Sequence, residues 1–299
     1  MAMTIQEFAR LADPDLDKIW HEDDPMYEEQ YSRVLNVITL DELYRIDAEM
    51  AGFGPPNSIA EGDDIEFDEA ISPRERRYDI EKFGAGYKVT DKFWMNDRYN
   101  EVNKFEADLR RADADHTETY FMALIANANG TTVSTGFDGL ALASTAHVRL
   151  DGGATQANRP TALTALSLTA LEDAVIAFTK FKDERGRPYR SVPTRLVTGL
   201  DLVLVANEIL ASTMNPTTTN NATNPLRNVF SIEHMPTPYL TSTTLWALLG
   251  ATHDINAGWR QRPTQDSDVH FESSTIKRKT EKWVFRGHGR WAGFYLGNT

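Results

Sequence analysis

Apolar positions recur every three or four residues through one long stretch of the chain. Tyr99, Val102, Phe105, Leu109, Ala112, His116, Tyr120 and Leu124 form the stripe, with neither glycine nor proline between residues 97 and 128. The spacing predicts one helix over residues 97–128, roughly 48 Å long at 1.5 Å per residue. Its other face carries Glu101, Lys104, Asp108, Arg111 and Asp115, and Asn129-Gly130 supplies a stop. A second amphipathic helix is predicted over residues 169–181, with Leu171, Ala174, Val175 and Phe178 inward and Thr169 and Glu172 as a capping box. A third is predicted over residues 201–210.

Period-two alternation marks strands elsewhere. Ile65 and Phe67 alternate with Asp64, Glu66 and Asp68, and Tyr78 and Ile80 alternate with Arg77, Asp79 and Glu81. These runs predict a hairpin over about residues 59–89 that turns at Ser72-Pro73. A hairpin this polar has too little apolar surface to stand alone, so it is expected to need a partner. Short strands are predicted at 194–197, 229–232, 244–249, 269–271 and 283–285, the second and third facing each other across a turn at Pro236 and Pro238. Residues 1–50 read as an arm of short helices, with Ile5, Phe8 and Leu11, then Tyr31, Leu35 and Ile38, as its periodic sets. Glycine, proline and asparagine break the pattern over 51–60, and residues 130–166, 183–188 and 215–224 read as loops or turns.

The 299 residues are 41% hydrophobic and 25% charged, an ordinary globular balance with ample chain for a core. Cysteine is absent, which excludes disulfide frameworks, thiolate nucleophiles and Cys-ligated metals. A net charge of −13 argues against a dominant nucleic-acid groove. The charge is uneven: residues 1–128 hold 30 acidic and 14 basic residues, a balance of −16, and residues 129–299 balance at +3. Opposite signs in the two halves predict attraction between them, within a chain or between copies. The acid-rich start does not fit a signal peptide, and the longest apolar run, residues 196–206, is too short to span a bilayer.

Candidate chemistry is thin. In His21-Glu22-Asp23-Asp24 a proline follows where a zincin would have its second histidine, so a solvated helix end is the simpler reading. Asp63, Asp64, Glu66 and Asp68 have no apolar surroundings in sequence to shift one pKa against another. Residues 287–292 have the spacing of a dinucleotide fingerprint but lie close to the C-terminus, leaving no room for a βαβ unit. Ser144 and His147 lack a visible orienting carboxylate or oxyanion hole. His116, on the apolar stripe, is expected to be a core histidine. The expectation is therefore no catalytic residue, no cofactor and no metal.

Three stretches carry a resemblance to a known family. EKFGAGYKVTDKFWMND (81–97) resembles a strand leading into a spine helix, FDGLALASTAHVRLDGG (137–153) resembles a D-G-x-x-L-x-x-x-x-H loop followed by glycines and Asn158, and residues 167–212 are similar to a helix–turn–strand–helix unit. With residues 291–294, these resemble, in order and spacing, the major capsid proteins of tailed bacteriophages, the Hong Kong 97-like family, and especially the head subunits of Mu-like phages. Thr198-Gly199 and Val148 stand where many relatives carry prolines. The resemblance implies an α+β fold with a long spine helix, an extended β-hairpin loop and a mixed α/β axial domain. Its expected divisions are an N-terminal arm (1–50), the extended loop with its entry strand (51–96), a peripheral domain with the spine helix (97–150), an axial domain (151–264) and C-terminal strands returning to the core (265–299).

The implied function is a shell subunit assembling as pentamers and hexamers around double-stranded DNA, to which it would lie in weak, non-specific proximity. Scaffolding, portal and decoration proteins would be further partners and a membrane would not. Assembly would take place in the host bacterial cytoplasm and the product would be a virion. An encapsulin-like compartment around protein cargo is the alternative within the fold. A monomeric α+β hydrolase using Ser144 and His147, or the 21–24 acidic cluster, is the alternative outside it. Expected inter-subunit contacts pair Arg74, Arg76 and Arg77 with Glu101 or Asp108 of a neighbour. The acidic run Glu61, Asp63, Asp64, Glu66 and Asp68 is expected to meet Lys277, Arg278, Lys279 and Arg290.

Overall fold

The computed structural model describes residues 20, 29–62, 64–65, 67–69, 71–97, 101–214, 223–270, 273 and 275–298. The expectations for residues 5–11, the 21–24 cluster, Asp63, Glu66, Tyr99 and most of the 215–224 loop lie outside the described residues.

The chain enters through a short helix, α1 (Tyr31–Val34), and turns at once into β1 (Asn36–Thr39). The helical spacing of Tyr31, Leu35 and Ile38 therefore breaks, because the β-branched run Val37-Ile38-Thr39 favours extended backbone. β2 (Tyr44–Glu49) follows, so residues 36–39 and 44–49 are strands rather than arm helices. β2 pairs antiparallel with β3 (Arg74–Asp79), from Tyr44 opposite Asp79 to Glu49 opposite Arg74. Residues 50–73 are an excursion between these two strands.

The predicted hairpin of 59–89 is thus replaced. Its first arm is not a strand among the described residues, its second pairs backward with β2, and the continuation β4 (Glu81–Thr90) pairs with the C-terminal part of the chain. Alternation alone does not make the described residues of this arm a strand: Ile65 and Phe67 are 65% and 92% exposed, so the alternation buries neither.

After α2 (Asp91–Met95), the long predicted helix is present as α3 (Glu101–Ala126), 26 residues or about 39 Å. Asp97 caps it: its two carboxylate oxygens accept the Glu101 and Val102 amides at 2.8 and 3.1 Å. α3 lies on a sheet ordered β1-β8-β9-β4, where β8 (Ile255–His270) and β9 (Thr275–His288) form a long antiparallel hairpin and β1 runs parallel to the start of β8. The C-terminal half of α3 buries Tyr120, Phe121, Met122, Leu124 and Ile125 there.

The second sheet is ordered β10-β7-β5-β6, built from β5 (Pro193–Thr198), β6 (Glu233–Pro236), β7 (Trp246–Gly250) and β10 (Phe294–Asn298). β5 separates β6 from β7, so the expected pair across Pro236 and Pro238 does not form. Residues 225–229 are a helix, α6 (Pro225–Val229), not a strand: the Asn224 side chain accepts the Leu226 amide and Pro225 suits a first helical turn. α4 (Leu168–Thr179) packs against β10 and buries Leu171, Ala174, Val175 and Phe178 as its periodicity predicts. Its cap is Ser167, whose hydroxyl accepts the Ala170 amide, and not the Thr169–Glu172 box. α5 (Val203–Ala211) follows a 3-10 turn at Leu200–Leu202. One core runs between the two sheets, from Phe121, Trp259 and Val284 to Val197, Leu249 and Phe294, and a second surrounds Phe178, Trp246 and Trp291.

Candidate assembly surfaces

α3 meets the sheet through two kinds of contact. Its C-terminal half is apolar, but its N-terminal half buries charge. Glu106 (0% exposed) lies 3.1 Å from the Arg278 guanidinium and accepts the Tyr87 hydroxyl at 2.6 Å. One turn or two further on, Asp113 faces Lys282, whose ammonium also donates to the Thr117 hydroxyl at 2.7 Å. Burial pushes the Lys282 ammonium below its usual range, and the Asp113 carboxylate opposes the shift. Meanwhile part of the predicted apolar stripe faces outward. Phe105 is 38% exposed, Leu109 is half-buried, Ala112 is exposed, and His116 is a surface residue stacked on Tyr120 and tilted against Phe83 rather than a core histidine.

The ribbon of β2 and β3 is seated by its arginines. Arg74 donates to the carbonyls of Val148 and Arg149 at 2.8 and 3.3 Å, and Arg76 to the Thr135 hydroxyl. Arg77 remains 61% exposed, paired with Asp79 on its own strand and lying over the Tyr44 ring. At the end of β2, buried Glu49 is 2.9 Å from Arg290; burial and the nearby Glu184 carboxylate raise Glu49 to about 7. Beyond it the excursion exposes Met50, Phe53, Ile59, Ile65 and Phe67. It carries six acidic residues and no basic one between 50 and 73. Glu61 and Asp64 are exposed, whereas Asp68 accepts the Gly54 amide at 2.6 Å and lies 3.4 Å from Arg185.

The remaining contact candidates divide by burial. Lys277 and Lys279 are exposed on β9, the latter paired with Glu281 and Asp266. Glu101 pairs with Lys104 and Asp108 lies 3.8 Å from Arg111, both on the surface of α3. Arg278 is 3% exposed and committed to Glu106, so it belongs to the interior of the subunit, not to its outer face. Arg290 is likewise committed to Glu49 within the chain.

The D-G-x-x-L-x-x-x-x-H motif closes on itself. His147 Nδ1 is 2.6 Å from Asp138 Oδ2, its Nε2 is 3.1 Å from Asn158 Oδ1, and its ring stacks on Trp291 at 4.6 Å. Asn158 also accepts the Ser144 amide and donates to the Leu142 carbonyl, tying the loop at both ends. Burial alone would raise the Asp138 carboxyl, but the His147 hydrogen bond holds it below its usual range. The Ser144 hydroxyl accepts the Ala146 amide and not the imidazole, so the geometry is a packed joint. The sequence carried Asp138, His147 and Asn158 as a motif; the stacking of Trp291, some 140 residues later, had no local signal. Next to this joint, His288 is buried with neither ring nitrogen hydrogen-bonded, and burial lowers it to about 3.

A long helix on a sheet, a two-stranded ribbon and a second sheet-and-helix unit make up a mixed α+β fold of the Hong Kong 97-like kind. The model of a family described as phage capsid protein matches residues 74–294, and the chain belongs to that family. No curated protein matches the sequence. Similar solved structures include a capsid of an empty GTA particle computed with C5 symmetry, at TM-score 0.62, 9% identity and 92% coverage of both chains. A structure from Microbacterium phage Oxtober96 matches at TM-score 0.56 and 9% identity over 100% of this chain and 99% of that one. The capsid of bacteriophage JBD30, decorated with minor capsid protein trimers, matches at TM-score 0.54 and 15% identity over 74% of this chain and 94% of that one. The protein is a major capsid protein, a component of the virion that assembles with copies of itself into a shell.

Proposed function

We propose that the chain is the head subunit of a tailed phage, that pentamers and hexamers of it close an icosahedral shell around double-stranded DNA, and that it performs no catalysis. Scaffolding and portal proteins would act with it during assembly in the host cytoplasm, and decoration proteins would bind the finished shell. The domain divisions at 50, 96, 150 and 264 are part of this reading. The observation that carries the contact scheme is the excursion of residues 50–73, which presents five large apolar side chains to solvent beside a one-signed run of carboxylates. Such a surface is stabilised by a second copy and not by its own packing. Exposed Arg77, Lys277 and Lys279 are the cations best placed to meet it, with Glu101 and Asp108 on the outer face of α3 as complementary acids. An acidic subunit also suits a wall that must not grip its genome through counterion release.

Electron microscopy of the purified full-length protein tests the reading. Closed particles or capsomers are expected, and nucleic acid inside particles taken from infected cells separates a phage head from a compartment for protein cargo. A monodisperse species of 33.7 kDa across salt and concentration would overturn it.

A further inference from the structure

Among the described residues of the 50–73 excursion, Phe53, Ile59, Ile65 and Phe67 all point to solvent. Ordering so many residues without burial is unfavourable, so whatever fixes the direction of the excursion must lie at its neck. Two sets of contacts sit there. The lower set seats the strands themselves, through Glu49 on Arg290 and Arg74 on the 148–149 carbonyls. The upper set comes from two side chains of the turn at 183–187: Arg187 Nη1 donates to the Phe53 carbonyl at 3.3 Å on the outgoing limb only, and Arg185 reaches both limbs. Arg185 Nε donates to the Gly52 carbonyl at 2.8 Å on the outgoing limb. Its Nη2 donates to the Glu69 carbonyl at 2.8 Å and lies 3.4 Å from Asp68 on the returning limb. Asp68 in turn accepts the Gly54 amide, which draws the two limbs together.

The turn that presents Arg185 is rigid. Asp183 accepts the Arg185 and Arg187 amides at 3.0 and 2.8 Å and the Arg187 Nε at 2.7 Å. Glu184 accepts the Leu150 amide at 2.6 Å, and Lys182 is tied to Gln156 through its own amide. Gly186, at φ +76°, supplies the left-handed residue that the turn needs. A planar guanidinium with donors along two edges can bridge two limbs at once, which a point-charge ammonium cannot. The Arg185 side chain is only 14% exposed, so solvent competes weakly for these bonds.

We propose that Arg185 is the positioning residue of the excursion, bolting its outgoing limb at Gly52 to its returning limb at Asp68 and Glu69. It thereby sets the direction in which residues 50–73 leave the subunit. The role belongs to the folded subunit and stands independently of what the subunit assembles into.

The test is site-resolved proteolysis of the full-length protein by a glutamate-specific protease, since the excursion contains glutamates and no lysine or arginine. Initial cleavage after Glu61 and Glu69 is normalised to cleavage after Glu42, an exposed residue outside the excursion. Arg185→Gln is expected to raise the normalised rates by ~10-fold or more, since several charge-assisted bonds at one neck are lost together. The melting temperature of the body should stay within about 2 °C, because no buried apolar surface changes. Arg185→Lys should remain several-fold above the wild type. An unchanged ratio in Arg185→Gln, or full rescue by Lys, would overturn the proposal. Should Arg185→Gln fail to fold, Asp68→Asn, at an exposed site, must still raise cleavage after Glu61, and no change there overturns it equally.

Discussion

Lys282 on β9 reaches Asp113 on α3 across 2.9 Å, with both side chains almost wholly inside the subunit. Together with Glu106 and Arg278 it places two ion pairs between helix and sheet, where a continuous apolar face was expected from the spacing. Replacing such pairs with well-packed apolar residues can be neutral, but removing one partner strands a charge in the interior.

Lys282→Met should therefore cost ~3–5 kcal/mol in denaturant unfolding of the subunit, because the buried Asp113 carboxylate loses its cation. The double variant with Asp113→Leu should regain most of that loss. A single-variant cost under about 1 kcal/mol would mean that water or another group serves Asp113.

Along α3, burial and not spacing should rank the apolar residues. Phe121→Ala, at 0% exposure, is expected to cost ~3–5 kcal/mol, and half-buried Leu109→Ala only about 1 kcal/mol. Equal losses at the two positions would contradict the orientation of the helix.

Asp138→Asn should destabilise the subunit by ~2–3 kcal/mol, since it removes the charged acceptor of a buried imidazole hydrogen bond. Loosened protection of amides 144, 147 and 156 in hydrogen exchange would localise the effect to the loop. Normal protection there would show that Asn158 and Trp291 stacking suffice to hold His147.

The pH dependence of stability should have two opposed parts. His288 falls to about 3 in the fold, so the unfolded chain binds the extra proton between there and its ordinary value of 6.5, and stability rises with pH over that window. Glu118 rises to about 7, chiefly through burial, so its contribution is complete below 4.5 and is lost as pH rises through 7. His288→Leu should reduce the acid-side loss, which buried His253 shares, and Glu118→Gln should shrink the neutral-side fall, which Glu49 shares. Unaltered unfolding profiles in both variants would refute the assignment.

How far these features could be read from the chain depends on the distance between partners. The long helix, α4, and the strand at 193–198 were legible because their signal lies within a dozen residues. β2 was not: its six residues mean little until β3, about 30 positions on, pairs with them, and β1 finds β8 more than 200 positions away. Glu106 and Asp113 look like surface charges in sequence, because Arg278 and Lys282 identify them as interior only through the fold. The chemistry of the 138–158 loop was legible as a motif, but its joint with Trp291 was not.

The strand pair β8 and β9 also contains a joint in the mechanical sense. The register slips at Trp259, Gln261 and Thr264, and the burial of β8 changes there from continuous to sparse. Such irregularities bend a strand locally. The six residues of β8 beyond it, 265–270, extend roughly 20 Å as strand. At that reach, a rotation of about 3° at the slip carries the far end through about 1 Å, with the Phe121–Trp259–Val284 core left in place. Copies that meet their neighbours at unequal angles can thus differ by flexure of the far end of the sheet, where β8, β9 and β4 run together, and share an identical body.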